Sequence, residues 1–179
     1  MSGHKLMMMA QSPISEIVSD GSVHIRMATP DDAALIASVL AESFIEYRDS
    51  YTPAAFAATT PRSEEVRSRM AEGPVWVALF DGAVVGTVAA VASGDDLYVR
   101  GMAVLPNGRG RGIGELLLRQ IEEYASLRSY RRLILSTTPF LHRAIQLYER
   151  FGFRRDEEGP HDLLGTPLFT MSKNLGRAK

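Results

Sequence analysis

One short segment constrains this chain more than any other, because residues 104–114 read Val-Leu-Pro-Asn-Gly-Arg-Gly-Arg-Gly-Ile-Gly. The residues before it have strand composition and those after it have helical periodicity, so the segment connects a strand to a helix. Glycines allow tight bends and let a ligand approach the backbone closely. Free N–H groups at the helix start, together with Arg109 and Arg111, favour a pyrophosphate or a similar anion.

Two common phosphate-binding motifs do not fit this segment. The P-loop ends in Gly-Lys-Ser/Thr, and no such tripeptide follows here. The dinucleotide-binding pattern needs glycines at the first, third and sixth places, but the sixth place is Ile113, Glu115 or Leu117, depending on the starting glycine. A mononucleotide kinase and a dehydrogenase are therefore poor interpretations. A structural connection with two solvated arginines stays open as the alternative.

The hydrophobic pattern of the whole chain predicts an α/β fold. Turns at Asp81-Gly82 and Gly94-Asp95 separate three strands that form an antiparallel meander. The strand at 133–135 lies parallel to the strand before the glycine loop, because a long helix connects the two. We expect one mixed, mostly antiparallel central sheet with helices on both faces. The predicted strands are 23–27, 75–80, 84–92, 97–105, 133–135, 153–156 and 168–173, and the predicted helices start at Thr29-Pro30, at Ser63 (to 72), at Gly112 (to 127) and at Thr138-Pro139 (to about 152).

Length and composition set the domain organisation and exclude several classes. The 179 residues suit one domain at 23–175, with a tail at 1–22 that is flexible or partly foreign to the native chain and a tail at 176–179. With a net charge of −1, the chain lacks the excess of positive charge that would indicate nucleic-acid binding. The chain has no cysteine and no apolar run of the roughly 20 residues that span a bilayer, so we expect a cytoplasmic protein without membrane contact.

Two blocks of this sequence resemble one known family. Arg109-x-x-Gly112-x-Gly114, preceded by Val104-x-Pro106, resembles the acetyl-CoA signature of the GNAT superfamily of N-acetyltransferases. Residues 144–153, Ala-Ile-Gln-Leu-Tyr-Glu-Arg-Phe-Gly-Phe, are similar to the helix and Gly-Phe turn that follow in that superfamily. The order of elements matches from Val23 to about Leu175.

The resemblance implies a cofactor site with acetyl-CoA as acyl donor and no metal. The strand that ends at Val104 and the strand at 133–135 would splay apart to admit the cofactor. Backbone groups of the first strand would pair with the pantetheine arm, and the loop amides would hold the pyrophosphate. The implied cofactor-binding residues are Met102, Ala103, Val104, Arg109, Gly110, Arg111, Gly112, Ile113 and Gly114.

The resemblance also implies that Tyr148 is the general acid that protonates the departing CoA thiolate. A thiol has a pKa of about 8.5 and a phenol one of about 10, so donation needs the phenol within hydrogen-bond reach of the sulfur. The alternative is that Tyr148 is a core residue on a helical stripe with Leu141, Ala144 and Ile145.

The sequence departs from the family pattern at two points. Leu141 stands where the family often has an Asn that would bind the cofactor, so that contact is lost or moved to Thr137 or Thr138. The strand before the loop has no Glu to act as general base. The remaining candidates for a base are Asp96, Glu42, Glu46 and His161.

The acceptor is expected to be a primary amine of a small molecule or peptide, attacking the thioester directly. Its site should lie between residues 47–56 and the strand that carries Tyr98 and Arg100. The candidate acceptor-binding residues are Tyr47, Tyr51, Tyr98 and Arg100. A non-catalytic acyl-CoA sensor or interaction module is the alternative function, and a monomer and a homodimer both stay open.

Overall fold

The computed structural model describes residues 21–157 and 161–176. The predicted N-terminal tail, apart from its last two residues, and residues 177–179 of the C-terminal tail lie outside the described residues. The helices are α1 Ala33–Phe44, α2 Pro53–Thr59, α3 Ser63–Met70, α4 Ile113–Leu127 and α5 His142–Phe151. The strands are β1 Val23–Met27, β2 Val75–Phe80, β3 Ala83–Ser93, β4 Asp96–Val104, β5 Arg132–Thr137, β6 Arg154–Arg155, β7 His161–Leu163 and β8 Thr166–Asn174.

The strands form one twisted sheet in the order β1-β2-β3-β4-β5-β8-β6, and β7 pairs with β8. Neighbouring strands are antiparallel except β4 and β5, which are parallel. This exception follows from the connection, because α4 carries the chain back to the same end of the sheet before β5 starts. The predicted meander and the predicted parallel pair are both confirmed.

Helices cover both faces of the sheet, as predicted. On one face α4 inserts Ile113, Leu117 and Ile121 into the larger core, whose other members include Leu97, Leu133 and Phe153. On the other face α1 and α3 pack on a smaller core with Ile36, Val39 and Leu40 against β2 and β4. The long central strands therefore have apolar side chains on both sides and read as continuous hydrophobic runs.

Near the C-terminus the structure corrects two predicted boundaries and adds a hairpin that the sequence analysis did not predict. The last helix starts at His142 and not at Thr138-Pro139, because the chain first turns at 138–141 and this turn packs the ring of Phe140 against Tyr51, with centroids 4.9 Å apart. The strand predicted at 153–156 is only Arg154–Arg155. The β7–β8 hairpin was missed because its turn places a leucine, Leu164, at positive φ, where leucine is uncommon.

Candidate functional site

The central feature of the site is the gap between β4 and β5. The two strands pair only at their starts, where Asp96–Tyr98 lie beside Arg132–Ile134. From there β4 runs on to Val104 without a partner on that side. A bulge at Gly101, which has φ +57°, shifts the register of β4 against β3 just where the two parallel strands separate. The splaying expected from the family resemblance is therefore present, and it leaves an open sheet edge inside the molecule.

A cavity of about 300 Å³ opens at this edge. Its walls come from the end of α1, the end of β4, the glycine loop with the start of α4, and one face of α5. The lining residues that were predicted for the cofactor are Met102, Ala103, Val104, Arg109, Gly110, Gly112, Ile113 and Gly114; the cavity also contacts Tyr47 and Tyr148.

The glycine loop presents free amides to the cavity because of the conformation of Gly112. This residue precedes the first turn of α4 at φ +73° and ψ +11°, a left-handed conformation that disfavours residues with a side chain. The first hydrogen bond of α4 runs from the Leu116 amide to the Gly112 carbonyl at 3.0 Å. The amides of the three residues between them have no helical acceptor, so they lie free at the positive end of the helix dipole, where an anion is favoured.

Gly114 is needed for a different reason, which is close packing between two helices. A methyl group on its α-carbon would lie 2.6 Å from Cδ2 of Leu147 on α5. The absence of a side chain at position 114 thus lets α4 and α5 meet directly below the loop.

The two loop arginines lie in different surroundings. Nη2 of Arg109 lies 2.5 Å from Oε1 of Glu46 and donates a 3.4 Å hydrogen bond to the Ser43 carbonyl, so Arg109 links the loop to the end of α1. The guanidinium of Arg111 stacks over the ring of Phe80 at 4.3 Å, and Arg111 is not among the cavity-lining residues.

The sequence reasoning missed two further cations of the cavity wall, Arg143 and Arg150 on α5. They lie seven residues apart with Leu147 between them, a spacing that places all three on one side of a helix. This spacing was visible in the sequence, but only the packing of α5 on α4 shows which helix that stripe faces.

Tyr148 lies between the cavity and the larger core. Its ring packs on Phe153 at a centroid distance of 5.8 Å, and the residue is buried. Burial, together with the nearby hydroxyl groups of Tyr51 and Tyr98, raises the pKa of Tyr148 above that of a free phenol. The hydroxyl therefore keeps its proton at any physiological pH. Tyr148 packs in the core and also lines the cavity, so a packing role and a role in the cavity are compatible with each other.

Comparison with known proteins decides the family. The model of the acetyltransferase (GNAT) family matches residues 37–153, which include the loop, both flanking strands and α5. This chain belongs to the GNAT acetyltransferase family. Membership confirms the family resemblance drawn from the two sequence blocks.

Individual relatives of this GNAT protein match it over part or all of the domain. It is 44% identical over 82 residues to the N-acetylaspartate synthetase of Danio rerio, which is 45% of this chain and 29% of that protein. It is 37% identical over 102 residues to the N-acetylaspartate synthetase of Homo sapiens, which is 56% of this chain and 34% of that protein. The chain thus spans about a third of the length of these relatives. The uncharacterized N-acetyltransferase YhfO of Bacillus subtilis is 27% identical over 151 residues, which is 81% of this chain and 99% of that protein.

Solved structures share the fold. PaiA N-acetyltransferase from Thermoplasma acidophilum, in complex with coenzyme A, matches with a TM-score of 0.72 at 17% identity, covering 86% of this chain and 99% of that one. The acetyltransferase YncA from Salmonella typhimurium, with its cofactor acetyl-CoA, matches with a TM-score of 0.68 at 20% identity, covering 87% and 95%. Because the sequence identity is low, both likenesses support the fold class alone.

The segment after α1 of this GNAT protein forms an aromatic wall beside the cavity. Tyr51 contacts Phe44 and Phe56 at centroid distances of 6.5 and 6.1 Å, and both Tyr51 and Tyr47 contact Phe140. Burial raises the pKa of Tyr51. Phe140 was not predicted as a site residue, because its position depends on the turn before α5.

A hairpin from the other end of the chain holds this wall in place. The amide of Thr52 donates to Oγ1 of Thr166 at 2.9 Å, and the Thr52 hydroxyl donates to the Leu164 carbonyl at 2.8 Å. The wall and the β7–β8 hairpin are therefore coupled across more than a hundred residues of sequence.

The predicted acceptor residue Arg100 lies outside the main cavity. Its Nη1 donates to Oε2 of Glu72 at 2.9 Å, and the side chain lines a separate cavity of about 30 Å³ between α1, α3 and the sheet. Tyr98, by contrast, is close enough to Tyr148 to influence its pKa. The structure thus brings Tyr47, Tyr51 and Tyr98 toward Tyr148. The side chain of Arg100 instead pairs with the exposed carboxylate of Glu72.

None of the four candidate bases is among the residues that line the main cavity. Nη2 of Arg132 lies 2.7 Å from Oδ2 of Asp96 at the closed end of the β4–β5 pair, and Glu46 is paired with Arg109. Glu42 and His161 are exposed. Leu141, by contrast, lines the cavity. At the position where the family often has an Asn, this chain therefore presents an apolar side chain to the cavity.

Within residues 21–157 and 161–176, no group of three or more His, Asp or Glu side chains is arranged to hold a metal ion. None of the helices in the same ranges is long and apolar enough to cross a bilayer.

Proposed function

We propose that this chain transfers the acetyl group of acetyl-CoA directly to a primary amine of a small molecule or peptide. One observation carries the proposal: a single cavity brings together the open edge of β4, the free amides at the start of α4 and the hydroxyl-bearing ring of Tyr148. An extended arm with amide groups fits an unpaired strand edge, and a diphosphate fits free helical amides.

In this proposal each group of cofactor-binding residues binds a different part of acetyl-CoA. Backbone groups of 102–104 pair with the amides of the pantetheine arm. The amides at the start of α4 and the guanidinium of Arg109 neutralise the diphosphate, which requires Arg109 to share or leave its carboxylate partner Glu46. Arg143 and Arg150 add positive charge at the α5 side of the cavity. Acetyl-CoA supplies the thioester whose carbon accepts the amine.

Tyr148 is proposed to donate its proton to the sulfur that leaves the thioester. Burial raises the pKa of this phenol, so it carries its proton before the reaction, and the same dry surroundings disfavour a free thiolate and so favour its protonation. Because the acidic side chains considered as bases lie off the cavity, we propose that the acceptor amine loses its proton to solvent.

For the acceptor, the names of the relatives point to one first candidate. Several of them are N-acetylaspartate synthetases, so aspartate is the amine to test before others. The aromatic wall of Tyr47, Tyr51 and Phe140 is the proposed acceptor side, since its rings contact one another and Tyr47 lines the cavity together with Tyr148.

The experiment is a thiol-release assay with acetyl-CoA and a panel of amines: aspartate, other amino acids, polyamines, aminoglycosides and peptides. Tyr148→Phe keeps the ring and removes the proton, so turnover should fall by about 10²–10⁴-fold while CoA affinity stays within about twofold. Tyr124→Phe is the matched control, because Tyr124 packs on Trp76 away from the cavity.

Two results would contradict the proposal. Equal turnover of Tyr148→Phe and wild type would reduce Tyr148 to a packing residue. Tight CoA binding without release for any amine would favour the acyl-CoA sensor, an interpretation to which the apolar Leu141 already lends some weight.

A further inference from the structure

Ser43 is a buried polar residue on the cavity wall that neither the family motifs nor the proposed mechanism uses. It lies in the last turn of α1, its residue is 5% exposed, and it is one of the cavity-lining residues. Its Oγ has no hydrogen-bond partner among the residues that the structure describes.

A serine in a helix has an easy way to satisfy its hydroxyl, and Ser68 on α3 uses it. Oγ of Ser68 donates to the carbonyl of Glu64, four residues earlier, at 3.1 Å. Ser43 makes no such bond. Since buried hydroxyl groups are nearly always paired and Ser43 lines the cavity, its Oγ is available to a ligand that binds there.

The position of Ser43 defines which part of a ligand it meets. Arg109 of the glycine loop donates to the carbonyl of Ser43 itself, so Ser43 lies next to the proposed diphosphate site. The same cavity is lined by the open edge of β4 at 102–104 and by Tyr148. Because these groups and Ser43 line one cavity, a ligand that extends from the loop toward Tyr148 comes within reach of the Ser43 hydroxyl.

We propose that Oγ of Ser43 hydrogen-bonds the pantetheine arm of acetyl-CoA inside this cavity. This inference rests on the proposed function, because it assigns a residue to the same cofactor. The arm carries two amides and a hydroxyl, and a serine hydroxyl can donate to or accept from any of them. Ser43 is then a binding residue that recognises the arm and not the nucleotide.

The test compares two probes by calorimetry: CoA, and 3′-phosphoadenosine 5′-diphosphate, which keeps both phosphates of the diphosphate and lacks only the arm. Ser43→Ala should weaken CoA binding by about three- to tenfold, the usual effect of losing one neutral hydrogen bond, and leave binding of the nucleotide probe unchanged. Ser43→Cys keeps a side chain of similar size, but its thiol is a weaker hydrogen-bond donor. Its CoA affinity should therefore lie between those of wild type and Ser43→Ala. Ser68→Ala is the matched control and should bind both probes like wild type.

A second readout separates binding from folding. Without ligand, Ser43→Ala should melt at the same temperature as wild type or higher, because it removes a buried hydroxyl that has no partner. Equal CoA affinity of Ser43→Ala and wild type, or an equal loss for both probes, would overturn the inference while leaving the cofactor site in place. If wild type itself bound neither probe, the proposed function would be the part that fails.

Discussion

Substitution of Gly112 by Ala isolates the backbone conformation on which the cofactor loop depends. A methyl group at this position meets no atom within 4 Å, so packing contributes nothing. The cost is conformational: φ of +73° disfavours alanine by about 1–2 kcal/mol, and the smaller entropy of the unfolded alanine chain offsets part of that. A net loss of about 1 kcal/mol lowers the melting temperature of a chain of this size by about 2–4 °C.

Gly94, in the turn between β3 and β4, provides a control of the same kind. It has φ +60°, and a methyl group placed on its α-carbon also meets no atom within 4 Å, but it lies outside the cavity. Thermal unfolding should show similar losses for Gly112→Ala and Gly94→Ala. Calorimetry should show CoA affinity reduced about tenfold in Gly112→Ala alone, because the amides at the start of α4 lose their alignment.

Gly112→Asp adds a negative charge beside the proposed diphosphate and should weaken CoA binding further than Gly112→Ala does. Equal CoA affinity in Gly112→Ala, Gly112→Asp and wild type would refute the assignment of the loop to the cofactor. A melting temperature unchanged in Gly112→Ala but lowered in Gly94→Ala would refute the left-handed conformation at Gly112.

Two further predictions concern ion pairs at the two ends of α1. Hydrogen bonds from Arg26 and from the Thr29 amide hold the pKa of Asp32 at about 2, below its ordinary 3.8. This carboxylate therefore stabilises the fold fully above about pH 4, and the contribution is lost as the pH falls through about 2. Asp32→Asn should lower the free energy of unfolding by about 1–2 kcal/mol in urea titrations at pH 7, and the difference from wild type should shrink steadily from about pH 4 to below pH 2; a constant difference across that range would contradict the linkage. Glu46→Gln removes the carboxylate that holds Arg109, so CoA affinity should rise about two- to fivefold in calorimetry; weaker binding would show that Glu46 orients Arg109 for the cofactor instead of competing for it.

The glycine loop and the order of elements were predictable because both depend on short stretches of sequence. A run of glycines and arginines between a strand pattern and a helix pattern is local, and so is the alternation that predicts the meander. The gap between β4 and β5 was implied by the family resemblance that the two blocks around Gly112 and Tyr148 carry. The boundaries failed where packing overrode local preference: Pro139 is a good helix start, but the chain turns there instead and places Phe140 against Tyr51.

Side-chain partners came from the tertiary structure alone. The sequence made Arg109 a candidate for the cofactor and Arg100 a candidate for the acceptor, yet Arg100 pairs with Glu72 outside the cavity, whereas Arg109 lines the cavity and pairs with Glu46. For Arg100, nothing local could indicate this outcome, because the bulge at Gly101 shifts the register of β4 directly after it. Ser43 was likewise inconspicuous in the sequence, since a serine on an amphipathic helix normally bonds its own backbone or water. The sequence by itself determined the fold class and the ligand-binding loop, through glycine conformation and hydrophobic period; the packing of α1 and α5 around the open strand decided which polar groups face the ligand.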